Sequence, residues 1–293
     1  MTLDQLRVFV EVAERRHMTK AATVLGMTQS AASAAIASLE RRYGAKLFNR
    51  VGRGIELSEI GGRFLPEARA VLNRVTAAQA VLDDLSDPTA GSVSIASSQT
   101  IANHWLPQRL TGYHAEYPGV RLDVVIGNTS QVETAVVEGR CDVGLVEGRV
   151  SNTAFVRRRV DQDHLVLVVS GDHELPPEHS PGRPDLRSVS WVVRETGSGT
   201  RAGLEDLAAA EGLTLSDLRI LLVLPSNEAI CNAVEAGAGA TIISEHVVAS
   251  AIAQGRLKAA TLALPPRDFV LLRHRDRHVA AAAKALIRYL AGS

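Results

Sequence analysis

A long apolar seam divides this chain and limits what each side of it can fold into. Ile60, Phe64, Ala68, Val71, Val75, Ala78, Leu82 and Leu85 follow one another in steps of three and four, and the run ends before Pro88. This spacing places them on one stripe of a helix, and a stripe lasting more than three heptads predicts a partner helix. The alternative is that the helix packs on its own domain. Ser58 is placed to cap its start, Glu59 sits favourably at the positive end, and Pro66 predicts a bend. Ser86–Gly91 reads as a hinge.

The 293 residues balance 32 Lys and Arg against 32 Asp and Glu, but unevenly. Residues 1–63 hold ten basic and six acidic side chains, a net of +4, and the rest carries −4. A basic N-terminal segment suits a polyanion. No apolar run approaches the roughly 18 residues of a membrane span. The start, Met1 to Arg7, carries an early acid and no apolar core of a secretory signal. The two cysteines, Cys141 and Cys231, sit in apolar stretches, which fits a cytoplasmic protein without a disulfide framework.

Ahead of the seam the patterning is helical. Leu3, Leu6, Phe9, Val10 and Ala13 predict a helix over residues 3–15. Thr19 is placed to cap a second, Lys20–Leu25, which Gly26 breaks. Thr28 is placed to cap a third, Gln29–Tyr43, which Gly44 stops. A short helix, a turn and a longer helix make a helix-turn-helix. Ala32, Ile36, Leu39 and Tyr43 form the third helix's inward stripe. Gln29, Ser30, Ser33, Ala34, Ala37 and Arg41 face outward, and Gln and Ser side chains read base edges. Two short apolar runs, Leu47-Phe48 and Ile55–Leu57, then flank a glycine-containing turn with Arg50 and Arg53 at its tip. That is a wing, placed to reach DNA phosphates or the minor groove.

Taken together, Leu6 and Phe9, Ala21-Ala22 and Leu25, Thr28-Gln29-Ser30, Ser33, Ile36, Leu39-Glu40, Leu47-Phe48, Arg50, Arg53, Leu57-Ser58 and Gly61 resemble the LysR-type transcriptional regulators. The resemblance covers the whole chain. It implies that the third helix enters the major groove and that the wing contacts the adjacent backbone. Thr28, Gln29, Ser30, Ser33, Arg50 and Arg53 are therefore the expected DNA contacts. The position after Ser33 is often a long polar residue in that family. Here it is Ala34, so base readout should lean on Gln29, Ser30 and Ser33.

Beyond the hinge, strand-like and helix-like segments alternate, which predicts an α/β domain with largely parallel sheets. The resemblance implies two α/β lobes like those of type 2 periplasmic binding proteins. The expected division is a winged helix-turn-helix domain at 1–58, all-α apart from its wing, a dimerisation helix and hinge at 59–91, and an effector-binding domain at 92–293. Lobe one would take about 92–161 and 265–293, and lobe two about 162–264. The segments 143–148 and 194–201 are closest to the family's subgroup of carbon-fixation and sulfur-metabolism regulators.

Three loops follow strand-like segments: Ser97-Ser98-Gln99-Thr100, Asn128-Thr129-Ser130 and Gly197-Ser198-Gly199-Thr200. Ligands of open α/β sheets bind beyond the carboxyl ends of the strands, and helix N-termini there suit anions. Each loop also has a plainer reading as a helix cap. Together they predict a small, anionic effector held by Ser98, Thr100, Asn128 and Thr200 first, with Ser97, Gln99, Glu147, Ser198 and Arg201 as further candidates. Glu147 would bind a donor on the ligand or pair with Arg201.

No cofactor, catalytic constellation or metal site is expected. His164, His173 and His179 match no metal-ligand spacing, and the glycine-rich loop lacks a P-loop lysine. The two cysteines read as buried thiols rather than a redox switch. The expected partners are double-stranded DNA at a pseudo-palindromic operator, the effector, a second copy of the chain in a homodimer or homotetramer, and RNA polymerase if the protein activates. The competing readings are a solute-binding protein or enzyme on the same α/β domain, and a nonspecific architectural DNA binder.

Overall fold

In the computed structural model, which describes all residues except 53, 87–90, 173–184, 261, 263 and 293, the chain divides into two units, Met1–Leu85 and Ser86–Ser293. Helix α1 (Leu3–Arg15) starts at a Thr2 capping box with Gln5 and stops at Arg16 in the left-handed region. Only Arg16 and His17 separate it from α2 (Met18–Val24), and His17, not Thr19, is the cap, accepting from the Lys20 amide. Helix α3 (Gln29–Tyr43) is capped by Thr28 and ends at left-handed Gly44. Ala32, Ile36 and Leu39 are buried, but Tyr43 is 58% exposed, because it lies in the final turn, where its ring stacks under Arg42 instead.

The wing is an antiparallel ribbon of β1 (Phe48–Val51) and β2 (Gly54–Leu57), with Phe48 opposite Leu57. The Glu40 carboxylate ties it to α3 by accepting from the amides of Leu47 and Phe48, at 2.7 and 3.3 Å. Helix α4 (Glu59–Ser86) follows, and the Ser58 hydroxyl accepts from the Gly61 amide. Its seam splits in two. Phe64 stacks on Phe9 at 5.0 Å and Ala68 is buried, so these turn inward to the helix-turn-helix core. Ile60, Val71 and Leu82 are 51%, 42% and 64% exposed. The side chain of Leu85 lies outside the described residues.

The second unit contains two sheets' worth of strands with helices on their faces. Its first lobe is a five-stranded sheet in the order β4 (Val120–Gly127), β3 (Gly91–Ser98), β5 (Val143–Glu147), β12 (Arg267–His274), β6 (Phe155–Asp163). β3 runs parallel to β4 and β5, whereas β12 is antiparallel to β5 and β6. α5 (Leu106–Glu116) and α10 (Ala281–Leu290) bury one face around Ile95, Trp105, Phe269 and Leu286. α6 (Thr129–Glu138) covers the other. α5 is preceded by a π turn, Ile101–Trp105. Pro107 has no N–H to close the bond of a regular helix there.

The second lobe places β7 (Leu165–Ser170) between antiparallel neighbours β10 (Thr241–Ser244) and β11 (Leu257–Ala260). β8 (Ser190–Arg194) and β9 (Arg219–Leu224) pair in parallel, and a bridge from Trp191 to Ala240 joins the two sets. α7 (Gly199–Ala210), α8 (Asn227–Glu235) and α9 (Glu245–Ala253) cover the faces. The sheets are mixed, not largely parallel. The strands that carry the chain between lobes, β6 and β12, run back along their neighbours, and β7 is flanked by reversed strands.

Gly61 shows how closely α4 approaches the wing. A Cβ placed there would lie 2.1 Å from the Leu47 carbonyl oxygen, which is backbone and cannot swing away. Gly61→Ala is predicted to lower stability by about 1–3 kcal/mol, the usual cost of overpacking. Chemical denaturation of residues 1–85 followed by circular dichroism reads it, and an unchanged midpoint would contradict the contact.

Candidate functional site

In the first unit the outward face of α3 is open. Gln29, Ser30, Ala34 and Ala37 are exposed and Ser33 is partly so. Thr28 is committed to the cap: its hydroxyl accepts from the Ala31 amide at 3.2 Å and lies 3.0 Å from that of Ser30. Thr28 therefore fixes the helix start with Ser30 bonded to it, and Gln29 and Ser33 stand on the open face without such a bond to the cap. Arg50 is exposed on β1. Arg53 lies outside the described residues.

In the second unit the three predicted loops come together where the lobes meet. Ser97, Ser98, Thr100, Asn128, Glu147, Ser198 and Thr200 are all buried. The elements explain why. β3, β5 and β8 end at this level, and α6 and α7 begin there, capped by Asn128 and Ser198. Asn128 makes a full capping box with Gln131. A Cβ on Gly199 would lie 2.9 Å from the Glu147 carbonyl oxygen and 3.0 Å from the Thr129 hydroxyl, so only glycine lets α7 begin this close to lobe one.

The meeting is closed by one hydrogen-bonded chain. Asn227 donates to the Thr100 hydroxyl at 3.2 Å and accepts from Arg194 at 2.5 Å. Arg194 grips Glu195 with two bonds, 2.8 and 2.9 Å, and Glu195 accepts from Asn128 at 3.0 Å. The chain thus leaves lobe one at Thr100, crosses lobe two and returns to lobe one at Asn128. Gln99 reinforces it, accepting from the Asn227 amide at 3.0 Å and donating to the Pro225 carbonyl at 3.1 Å. Burial alone would push Glu195 up. The hydrogen bonds from Arg194 and Asn128 outweigh it and hold the carboxyl below its usual range.

The remaining candidates are placed differently. The Ser97 hydroxyl is spent on the Ser98 carbonyl. The Ser98 hydroxyl is buried with no hydrogen-bond partner among the described residues. Arg201 bonds Glu205 on its own helix at 2.9 Å and the Arg194 carbonyl at 3.2 Å, so it does not pair with Glu147. The i,i+4 neighbour holds it. Glu147 instead faces Arg267, at 3.9 Å. It lines a cavity of about 820 Å³ that runs from Thr129 and Ser130 past Ser198 to Pro265–Asp268.

Sequence reading missed Arg194, Glu195, Asn227, Asp163 and Arg267. Arg194 and Glu195 were visible as part of a subgroup pattern but carried no role. Asn227 looked like a loop residue before α8, because nothing in the sequence shows that α8 begins opposite Thr100. Among the described residues no His, Cys, Asp and Glu group has the makings of a metal site, and His173 and His179 lie outside them.

The winged helix-turn-helix with its polar outward face and the two-lobed domain define a DNA-binding regulator of the ligand-responsive kind. Residues 86–293 match the LysR substrate binding domain, and residues 3–62 match the bacterial regulatory helix-turn-helix protein, lysR family. The chain belongs to the LysR family of transcriptional regulators, and it is not an enzyme. It is 31% identical over 292 residues to the HTH-type transcriptional regulator YeiE of Escherichia coli, covering 99% of this chain and 97% of that one. It is 30% identical to CbbR of Rhodospirillum rubrum, covering 98% and 95%. It is 29% identical to CysL of Bacillus subtilis, covering 85% and 82%. The carbon-fixation and sulfur sides of the family are thus both among its relatives. The solved structure of CbnR, a LysR family transcriptional regulator, has the same fold, with a TM-score of 0.70, 20% identity and full coverage of both chains.

Both thiols are free, Cys141 buried in lobe one and Cys231 half-buried in lobe two. Desolvation pushes Cys141 up to about 12 and Cys231 up to about 11. Raised values mean less thiolate, the reactive form, at any ordinary pH. Relative to a free thiol of pKa about 8.5, alkylation at pH 8 is predicted to slow by more than about a hundredfold at both sites. Iodoacetamide labelling of the folded protein, followed by mass spectrometry, measures this. Labelling of either cysteine at the free-thiol rate would contradict it.

Proposed function

We propose that this regulator binds a pseudo-palindromic operator as a homodimer or a dimer of dimers, and that a small anionic metabolite, an oxyanion or a carboxylate, sets its state by binding where the two lobes meet. The single observation that supports this best is the buried polar seam. The N-termini of α6, α7 and α8 converge on it, and the Ser98 hydroxyl stands in it without a partner. Helix N-termini favour negative charge, and an anion there would accept from donors now paired across the lobes. Ser98, Thr100, Asn128 and Thr200 are its first contacts, with Ser97, Gln99, Glu147, Ser198 and Arg201 after them. The exposed Ile60, Val71 and Leu82 on α4 support a helix partner from a second copy. Among the described residues no helix is long and apolar enough to cross a membrane. We place the protein in the cytoplasm, and RNA polymerase is a further partner if it activates.

A ligand moves such an equilibrium only by the difference in its affinity for the two arrangements, and a coupling of ~1–3 kcal/mol suffices. Thr100→Ala and Thr200→Ala are each predicted to weaken effector binding by about 0.5–2 kcal/mol while leaving effector-free DNA affinity nearly intact. Calorimetry against inorganic and carboxylic anions that raise the melting temperature is the test. Undiminished affinity in both variants, or an effector that proves large and apolar, would overturn the site.

On DNA, Gln29→Ala and Ser33→Ala are predicted to weaken cognate binding selectively, by about 1–3 kcal/mol per lost base contact. Arg50→Ala and Arg53→Ala should weaken cognate and random DNA together and lower the salt slope by about one unit each. Gel-shift titrations at several salt concentrations separate the two classes. Equal effects of all four on random DNA would refute this division.

A further inference from the structure

Beside the closed seam, two charged groups of opposite sign are left unmatched in one cavity. Arg267 opens β12 and Asp163 closes β6, the two strands on which the chain crosses between lobes. The Asp163 carboxylate is fully used. One oxygen accepts from the Ser244 hydroxyl at 2.6 Å, and the other meets Arg267 Nε at 2.7 Å and Nη2 at 2.6 Å. Arg267 is more than nine-tenths buried, and among the described residues neither Nη1 nor Nη2 has a hydrogen-bond partner, Nη2 meeting Asp163 only as an ion-pair contact. Glu147 is 3% exposed and accepts no hydrogen bond from any described residue, its nearest cation being Arg267 Nη2 at 3.9 Å. The Thr129 hydroxyl is also buried and unpaired. Arg267, Glu147 and Thr129 all line the 820 Å³ cavity, a volume in the range of small-ligand sites.

Buried donors and acceptors without partners are costly, and buried charges more so. Two carboxylates against one guanidinium leave this cluster net negative. A simple anion would satisfy Arg267 Nη1 but face Glu147 across the same space. A simple cation would satisfy Glu147 and leave Nη1 unpaired. A ligand that carries an ammonium next to a carboxylate answers both at once. Leu165, Leu207 and Pro265 supply an apolar wall for the rest of such a molecule.

We infer that the cavity binds an α-amino acid, its ammonium on Glu147 and its carboxylate on Arg267 Nη1 and the Thr129 hydroxyl. This rests on the reading that the effector sits between the lobes; it narrows the effector from anions at large to carboxylates with an adjacent ammonium, and moves its main contacts from the seam residues Ser98, Thr100, Asn128 and Thr200 to the neighbouring cavity, which Glu147 and Ser198 line. Because Arg267 and Asp163 lie on the crossing strands, an occupant here acts directly on the hinge.

The test uses the full chain and a panel of the common α-amino acids, each paired with the 2-oxo acid of the same side chain, plus sulfate and phosphate. Melting temperature finds binders and calorimetry ranks them. At least one amino acid should bind tenfold or more tighter than its 2-oxo acid. Glu147→Gln should bring that pair within threefold, weakening the amino acid and strengthening the 2-oxo acid, a gain that a misfolded variant cannot show. If 2-oxo acids, sulfate or phosphate bind and amino acids do not, the inference fails while the anionic-effector reading stands. The inference fails in the same way if Glu147→Gln leaves the amino-acid preference intact. If no probe on the panel binds, both fail.

Discussion

The hydrogen-bonded chain from Thr100 through Asn227, Arg194 and Glu195 to Asn128 is the interaction on which the sensing half of this molecule depends. It contains a guanidinium that is 3% exposed, and a buried charge is tolerated only when its donors are met. Arg194 is met twice by Glu195 and once by Asn227. Removing the charged partner of a buried ion typically costs about 3–5 kcal/mol, because a charge is left uncompensated. Yet the two ends of the chain, Thr100 and Asn128, belong to the other lobe. The lobes are therefore joined by polar contacts that a competing ligand can replace, rather than by an apolar interface that it would have to pull apart.

Everything around the chain serves to bring its members to one level. β3, β5 and β8 stop there, and α6, α7 and α8 start there behind the caps Asn128, Ser198 and Ser226. Gly197 and Gly199 remove the side chains that would hold α7 away from lobe one. At the hinge, Arg267 and Asp163 hold the two crossing strands together in the same polar fashion. A sensor of this design stores its sensitivity in satisfied polar groups, since a ligand must offer better partners than the protein already has. The family's DNA-binding half is built on the opposite principle: Phe9, Phe48 and Phe64 form an apolar core that stays shut while α3 presents its polar face.

Much of this could be read from the sequence because it rests on local rules. Thr28 and Gly44 bound α3 as caps do, and the wing announced itself through short apolar runs around glycines. The three polar loops that meet between the lobes were visible because small polar residues followed strand-like runs. What escaped was whatever depends on distant segments meeting. β6 was hidden because Arg157, Arg158 and Arg159 interrupt its apolar alternation, and its pairing with β12 joins residues more than a hundred positions apart. Thr19 looked like the α2 cap because nothing local shows that α1 runs on to Arg15 and leaves His17 as the cap of α2. Arg201 looked like a partner for Glu147 because nothing local shows that Glu205, one turn on, holds it. Asn227 and Arg267 gave no signal at all, since their roles exist only across the lobe boundary.

The central claim is that the lobes are held closed by the Thr100–Asn227–Arg194–Glu195–Asn128 chain. It is tested most directly by measuring the distance between the lobes. Spin labels at Thr111 in lobe one and Ser250 in lobe two, on a protein whose two cysteines are replaced by serine, report that distance by pulsed electron resonance. The unliganded protein should give one narrow distribution, and Asn227→Ala should add a second, longer population. Identical narrow distributions in the two proteins would contradict the claim.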